Sequence, residues 1–520
     1  MSAASIWEGA DIGGTPHQHD RAFIARNLNS LPVEFREPVR RQYASIFKKT
    51  GRSEANLWLL EIGERASAAP LPLTFDDDDL VLKARSLARS CSAAMASTSH
   101  VPLPTFDALA AKHGLRPPNA LTPAGKAARY RCERWWRRRL RRCHGESIER
   151  LAVTLNLVNK QLGPYASKVA VHRRAQSRRR TAALMQTLLA VNELGEEFSL
   201  AELQAHSTAN PRNRRAELMV RMAGFEALAD RRGDVAVFYT ITCPGRMHRS
   251  LSVNSDPNPR YDATTPGEAQ VYLCNLWARA RSALARAGVR PYGLRIAEPH
   301  HDETPHWHLL LFMPADRVNI VGTILRRYAL ARDPDEPGAA AHRFREVIID
   351  PERGRATGYI AKYVSKNVDG AYIENDETGW DGEQAAARVN AWASLWRIRQ
   401  FQQIGGPPVT VWRELRRLAE APEGILETAR QAADAGNWAD FVETLGGPDV
   451  ARKDQQIKLA RVWCERLGQY REPIGYQIVG LEAGEVTLPT RLHEWRVVQN
   501  VNPEFLAASA SARVALEYCQ

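Results

Sequence analysis

The order of strands and helices between about residue 231 and residue 370 constrains the fold of this chain more than any other feature. The segment 235–242 is β-branched and aromatic, and Pro244 and Gly245 follow it, as expected of a strand that ends in a turn. Apolar residues then recur at helical spacing over 267–287. The same criteria predict strands at 292–298 and 306–313, a helix at 318–331, a strand at 344–349 and a helix at 358–367.

This βαββαβ order is typical of a ferredoxin-like fold, in which the strands form one antiparallel sheet with helices on one face. We therefore predict an α+β protein with a four- to five-stranded antiparallel sheet, flanked by mainly helical N- and C-terminal regions. A chain of 520 residues is too long for one hydrophobic core. We predict five regions: a helical or irregular one at 1–120, a basic helical one at 121–230, the sheet domain at 231–370, a helical extension at 371–450 and a tail of unassigned role at 451–520.

Positive charge is in excess, with 71 lysines and arginines against 59 acidic residues and a net charge of +12. Such an excess favours an anionic partner, of which nucleic acid is the commonest. Nine of the 17 residues from 126 to 142 are basic. A single helix there would place Arg134, Arg138 and Arg142 along one stripe, with Trp135 and Trp136 among them.

A second basic cluster spans 173–180 and includes Arg178 and Arg179. Basic residues spaced to follow phosphates, with aromatic rings between them, suit DNA binding. The arginines named in the two clusters are therefore candidate DNA contacts, although a solvated arginine-rich surface explains the composition equally well.

Other segments bear on compartment and redox chemistry. The N-terminus lacks the basic start and apolar run of a signal peptide, and no stretch approaches 18 uninterrupted apolar residues, so no membrane span is predicted. Seven cysteines without a Cys-x-x-Cys pair fit free thiols in a reducing cytoplasm. The acidic run from Asp76 to Asp79 is interpreted as a solvated loop.

Four histidines and three acidic residues fall within the 11 residues from Glu298 to His308. On a strand, His306 and His308 project to the same face, and two imidazoles on one face can share one metal ion. The short connection at 299–305 can fold Glu298 back beside them, giving a divalent-metal site with open positions for a phosphate oxygen. The alternative third ligands lie in the connection: His300, His301, Asp302 and Glu303.

Two tyrosines and two lysines recur at helical spacing shortly after the last predicted strand. Tyr359 and Tyr363 are one turn apart and share a helix face, and Lys362 and Lys366 share an adjacent one. A phenol with a pKa near 10 is a weak nucleophile until nearby cations favour the phenolate or neutralise the phosphate that it attacks. Aromatic residues four apart are more often core residues, so this motif gains weight only beside the histidines.

Together the two motifs resemble the HUH endonucleases, and within them the bacteriophage replication gene A proteins. The resemblance is clear from about 230 to 420, where it is carried by five segments: 238–244, 258–261, 295–312, 359–367 and 401–408. The order of the motifs sharpens it. In conjugative relaxases the tyrosine precedes the histidines, whereas here two tyrosines follow them by about fifty residues, as in the gene A type.

The resemblance implies a two-tyrosine initiator of rolling-circle replication in a bacterial host cytoplasm. It implies Mg²⁺ or Mn²⁺ as cofactor, a single-stranded or melted phage origin as substrate, and a host helicase and DNA polymerase as partners. The chain has no Gly-x-x-x-x-Gly-Lys-Ser/Thr loop, which argues against a helicase of its own. A relaxase-like or transposase-like nickase and a non-catalytic origin-binding protein are the alternatives.

Overall fold

The computed structural model describes residues 18–97, 103–251, 256–376 and 378–500. The chain divides into two compact units, of which unit 1 is Met1–Leu157 with Glu465–Ile474, and unit 2 is Val158–Cys464 with Gly475–Gln520. The boundaries predicted after 120 and 230 fall inside unit 1 and unit 2 respectively, and the five-region division stays a prediction. No helix within the described residues is long and apolar enough to cross a membrane.

Apart from its short segment Glu465–Ile474, unit 1 is built from helices. Its seven helices are α1 Gln18–Asn29, α2 Val33–Thr50, α3 Arg52–Ser67, α4 Asp77–Ala96, α5 Leu103–Lys112, α6 Pro123–Tyr130 and α7 Glu133–Thr154.

The acidic run does not form the predicted loop, because it begins helix α4. Asp76 is the N-cap, and its side chain accepts a hydrogen bond from the backbone N–H of Asp79 at 2.9 Å. Asp79 returns the interaction by accepting from the backbone N–H of Asp76 at 3.1 Å. Carboxylates in the first turn satisfy unpaired N–H groups and complement the positive end of the helix dipole. The run is therefore a helix start.

The basic segment 126–142 is not one helix as predicted, since the chain breaks it at Arg131 and Cys132, between α6 and α7. Trp135 and Trp136 are buried in the helical core beside Tyr130. The indole N–H of Trp136 donates to the carbonyl of Tyr130 at 2.7 Å. Because these rings are packed inside unit 1, they are not exposed between the arginines for bases to stack on.

Unit 2 contains the central sheet and the helices around it. The remaining helices are α8 Lys168–Gln186, α9 Leu200–His206, α10 Pro211–Arg232, α11 Pro266–Arg286, α12 Val318–Ala329, α13 Ala339–His342, α14 Ala356–Val368, α15 Gly382–Trp396, α16 Val409–Leu415, α17 Ile425–Asp434 and α18 Trp438–Thr444. The strands are β1 Leu188–Val191, β2 Glu197–Ser199, β3 Asp234–Thr242, β4 Tyr292–Pro299, β5 Pro305–Pro314, β6 Phe344–Ile348, β7 Phe401–Ile404, β8 Ile457–Leu467, β9 Pro473–Ala483, β10 Val486–Pro489 and β11 Arg496–Gln499.

The central sheet has five strands in the order β6-β3-β5-β4-β7, and every neighbouring pair is antiparallel. The four strands and three helices predicted between 231 and 370 are confirmed, with ends that differ by a few residues. The fifth strand, β7, lies outside the predicted sheet domain and pairs with β4. A mixed helix and sheet protein with a four- to five-stranded antiparallel sheet is therefore confirmed.

Both faces of the sheet are covered by helices, whereas the sequence predicts helices on one face. Strands β4 and β5 are buried at almost every position, so neither face of the sheet centre can be left in water. Helices α11, α12 and α15 pack on the face that carries Trp307. Helices α10, α14, α16, α17 and α18 pack on the face that carries Leu310.

Helix α14 is anchored at its first turn by a side chain of α10. The Glu226 carboxylate accepts from the backbone N–H groups of Ala356 at 2.6 Å and Thr357 at 3.3 Å. These N–H groups have no partner within the helix, so a half-buried carboxylate there stabilises the start of α14. Ile360 and Val364 then bury one side of α14 against the sheet, which presents the adjacent side to the end of β5.

Candidate metal and tyrosine site

His306 and His308 lie on one face of β5, as the two-residue strand period requires. Glu298 of β4 stands directly opposite His306 in the antiparallel register. The two Nε2 atoms are 2.9 Å apart, and a carboxylate oxygen of Glu298 lies 3.7 Å from Nε2 of His308. One ligand atom from each residue lies within 4.8 Å of the others, and all three side chains are buried. The three donors therefore converge on one point.

The four loop residues that the sequence offers as alternative third ligands lie outside this convergent group. Among the described residues, the Glu298, His306 and His308 group is the one set of three His, Cys, Asp or Glu ligands that converge in this way. Asp302 turns away to His248 Nδ1 at 3.3 Å, and Glu303 accepts from the indole of Trp396 at 3.1 Å.

The two histidines are held neutral by their surroundings. Burial and, to a smaller extent, the nearby Lys366 cation lower the pKa of His308 to about 3. Burial, with the neighbouring rings of His300 and His308, holds the pKa of His306 well below its ordinary value. Both imidazoles are therefore uncharged at pH 7, which leaves a ring nitrogen on each free to bind a cation.

Groups behind the ligands orient them. The hydroxyl of Thr240, on β3, lies 3.1 Å from Nδ1 of His308, so Nε2 of that ring faces the cluster. The amide of Asn367 donates to Glu298, and its oxygen accepts from Gln400 at 3.3 Å. Outer contacts of this kind fix the tautomer and direction of metal ligands.

Helix α14 places the two tyrosines at unequal distances from the cluster. The ring of Tyr363 lies 4.4 Å from that of His308, centroid to centroid, and the two tyrosine rings are 6.5 Å apart. Phe238 contacts both, at 4.8 Å to Tyr359 and 5.3 Å to Tyr363. Tyr359 is 43% exposed, so the pair leads from the buried cluster to solvent.

The two lysines occupy different environments. Lys366 is buried, with Nζ 3.5 Å from a Glu298 oxygen and 5.2 Å from the centre of the Tyr165 ring. Lys362 is exposed. Helix α14 therefore brings one predicted lysine to the metal-ligand carboxylate and turns the other towards water.

The five candidate DNA-contacting arginines fall in both units. Arg134, Arg138 and Arg142 lie on α7 in unit 1, where Arg138 is exposed and the other two are half-buried. Arg178 and Arg179 are exposed on α8 in unit 2. Their role as DNA contacts stays a prediction.

Comparison with known proteins places the chain in a family. Residues 71–371 match the model of the bacteriophage replication gene A protein family, more than half of the chain. The chain belongs to the bacteriophage replication gene A protein family. The matched segment spans the positions of the two histidines, Glu298 and both tyrosines.

Relatives of this gene A family chain come from several phages and prophages. It is 41% identical over 375 residues to the probable replication protein P12 of Pseudoalteromonas phage PM2, covering 70% of this chain and 58% of that protein. It is 40% identical over 411 residues to the replication gene A protein of Escherichia phage 186, covering 74% and 58%. It is 37% identical over 419 residues to a probable replication endonuclease from a prophage-like region of Salmonella typhi, covering 76% and 52%.

The chain thus spans little more than half the length of these curated relatives. No solved structure matches it.

Four residues of this gene A family member support the site without a sequence motif that marks them. Phe238, Thr240, Asn367 and Gln400 all touch the site, and no role is predicted for any of them. Thr240 lies on a predicted strand, β3. In the antiparallel pair of β3 and β5 it stands directly opposite His308, so the two side chains share one face of the sheet. No comparable signal marks Gln400, which comes from a later segment.

Proposed function

We propose that the chain initiates phage or prophage replication by nicking one strand of origin DNA through a tyrosine. It would act as a metal-dependent, site-specific endonuclease and strand transferase, and would start rolling-circle replication. The observation that carries this proposal is the placement of two tyrosines, one helical turn apart, beside a buried cluster of two histidines and a glutamate. Family membership, and relatives that are named replication endonucleases, support it.

We also propose that unit 2 contains a ferredoxin-like HUH nuclease domain. If the four strands β3 to β6 are numbered one to four, their order across the sheet is 4-1-3-2. Helix α11 connects the first strand to the second and helix α12 connects the third to the fourth, as in a βαββαβ unit. The His-Trp-His segment lies on β5, between two other strands, and the tyrosines lie on the helix that follows β6.

The cluster suits a divalent metal ion such as Mg²⁺ or Mn²⁺. Its donors are two uncharged imidazole nitrogens and a carboxylate, and Nδ1 of His306 is buried without a hydrogen-bond partner. Glu298, His306 and His308 would hold the ion, and Thr240 and Asn367 would orient them. Such an ion supplies Lewis-acid polarisation of a phosphate oxygen and positions the scissile phosphate.

The covalent step belongs to a tyrosine. Its phenolic oxygen forms a bond to the phosphorus as the bond from phosphorus to the 3′ oxygen breaks, which leaves a 5′-phosphotyrosine and a free 3′-OH. The phenol loses a proton and the departing oxygen gains one, so the exchange needs no net proton. One phosphodiester replaces another, and neither ATP nor water is consumed.

The second tyrosine would allow the enzyme to end a round of replication by a second cut and a rejoining step. After a round of synthesis from the 3′-OH by a host polymerase, with a host helicase ahead of it, the other tyrosine would cut the regenerated origin. The released 3′-OH would then attack the first phosphotyrosine and rejoin the displaced strand. This cycle would take place in the cytoplasm of the bacterial host.

A covalent adduct tests the proposal. Oligonucleotides tiled across the replication origin of the encoding phage or prophage are incubated with the chain and Mn²⁺, and the products are separated under denaturing conditions. We expect a protein–DNA complex with one oligonucleotide, lost with chelator and in the Tyr359→Phe/Tyr363→Phe double variant. Binding without an adduct would instead favour a non-catalytic origin-binding protein.

A further inference from the structure

A second site lies along the edge of the central sheet. Strand β7 is the last strand on that side, and an open groove of about 1290 Å³ follows it between α10, α11 and the loop 405–408. We call it the β7 groove. None of its lining residues is a tyrosine of α14 or a ligand of the candidate metal cluster.

The β7 groove is strongly basic. Eight arginines line it against two acidic residues, Glu217 and Asp449. Both acids are already paired, Glu217 with Arg413 at 2.7 Å and Asp449 with Arg232 at 3.0 Å. Within the described part of the chain, six of the eight lining arginines form no ion pair: Arg214, Arg281, Arg290, Arg295, Arg399 and Arg452. The groove therefore keeps an uncompensated positive charge.

Among the groove arginines, Arg295 gives the strongest evidence for an anionic ligand. Its side chain is 4% exposed, and Nε has no hydrogen-bond partner. The guanidinium lies 4.2 Å from the centre of the Trp307 ring, donates one bond to the Arg399 carbonyl and lies beside the Cys274 thiol. Burial lowers its pKa to about 10, so it remains a cation at pH 7. A buried cation without an anion costs free energy unless a ligand supplies the anion.

Aromatic side chains accompany the cations. Arg214 stacks over the ring of Phe401 at 5.2 Å, and half-buried Trp277 lines the same groove. A groove that combines arginines with aromatic faces suits single-stranded nucleic acid, whose phosphates and unpaired bases can both be bound. The recessed position of Arg295 favours a single strand, because a duplex presents its phosphates on a convex surface.

The β7 groove is separate from the tyrosine site. On β4, Arg295 faces Trp307, whereas Glu298 faces His308 on the other side of the sheet. We propose that the β7 groove binds the phosphates of single-stranded DNA, independently of sequence, at a distance from the scissile phosphate. This rests on the proposed function only in taking DNA as the anion. The groove would hold the strand while the tyrosine site cuts it.

A charge-matched pair of variants tests the groove. Arg281→Gln/Arg399→Gln removes two exposed, unpaired groove charges. The control, Arg279→Gln/Arg327→Gln, removes two exposed charges that lie over the Tyr328 ring and do not line the groove. The probe is a fluorescein-labelled oligothymidylate, which contains no origin sequence, and its affinity is measured by fluorescence anisotropy over a range of salt concentrations.

We expect the groove variant to bind the probe about tenfold more weakly or worse, and the control to bind as the parent does. The slope of log affinity against log salt should fall by about 1.4 for two lost phosphate contacts on a single strand. Equal binding by the two variants would overturn the proposal. So would an equal loss for a blunt duplex, because the groove would then not be a single-strand site.

Adduct formation separates this result from the proposed function. If the parent chain forms no covalent adduct but the groove variant still binds the probe more weakly than the control does, the tyrosine mechanism is wrong and the proposal for the groove is supported. If the adduct forms and both variants bind the probe alike, the groove fails and the mechanism stands. The Tyr359→Phe/Tyr363→Phe variant should bind the probe with unchanged affinity, since neither tyrosine lines the groove, and a tenfold loss there would place the strand at the tyrosines instead.

Discussion

The ring of Tyr363 packs against the ring of His308, with centroids 4.4 Å apart, while Tyr359 contacts Phe238 further towards solvent. We therefore expect Tyr363 to make the first cut. Tyr363→Phe should lower adduct formation on the origin oligonucleotide on the order of a thousandfold or more, the scale of losing a nucleophile. Tyr359→Phe should retain the first adduct and lose rejoining. Gel analysis of each variant under denaturing conditions measures both steps, and equal loss in the two single variants would contradict this order.

Thr240 should matter through the ring that it orients. Thr240→Val removes the hydroxyl 3.1 Å from Nδ1 of His308 while keeping the side-chain volume. We expect the Mn²⁺ concentration that gives half-maximal adduct formation to rise about 10- to 100-fold, which is the usual effect of losing an outer contact to a metal ligand. A Mn²⁺ titration of adduct formation measures it. Thr240→Ser keeps the hydroxyl and should need nearly the same Mn²⁺ concentration as the parent. If the Ser variant needs as much Mn²⁺ as the Val variant, the hydrogen bond to His308 does not account for the loss.

The two lysines of α14 should differ sharply. Lys366 is buried 3.5 Å from Glu298, so Lys366→Met removes a cation that lies among the ligands and leaves the carboxylate less compensated. Lys362 is exposed, where solvent and salt screen its charge. We expect Lys366→Met to lower the adduct yield at least about tenfold, and Lys362→Met to change it by less than about threefold. Equal losses of adduct yield in the two variants would contradict the expectation that the buried lysine contributes more than the exposed one.

Trp136 should act on stability. It is fully buried in unit 1, and its indole donates to Tyr130. Trp136→Ala should lower the free energy of unfolding of unit 1 by about 3 to 5 kcal/mol. Arg138→Ala, at an exposed position of the same helix, should change it by about 0.5 kcal/mol or less. Urea denaturation followed by tryptophan fluorescence compares them, and a Trp136→Ala chain that unfolds at the parent's urea concentration would contradict the packing described.

Local patterns in the sequence were sufficient to predict the strands and helices from 231 to 370. Strand period places His306 and His308 on one face, and helix period places Tyr359 and Tyr363 on one face, because both follow from backbone geometry over a few residues. The family resemblance followed from the same short segments.

Long-range pairing decided the rest. The sequence offers five acidic residues and histidines as the third donor beside His306 and His308, and the register that sets Glu298 opposite His306 brings Glu298 into the convergent group. Spacing also could not show that Trp135 and Trp136 are core residues, that Lys366 turns to Glu298, or that β7 completes the sheet. Each depends on which distant segments pack together, and burial, unlike helical or strand period, is a property of the whole folded unit.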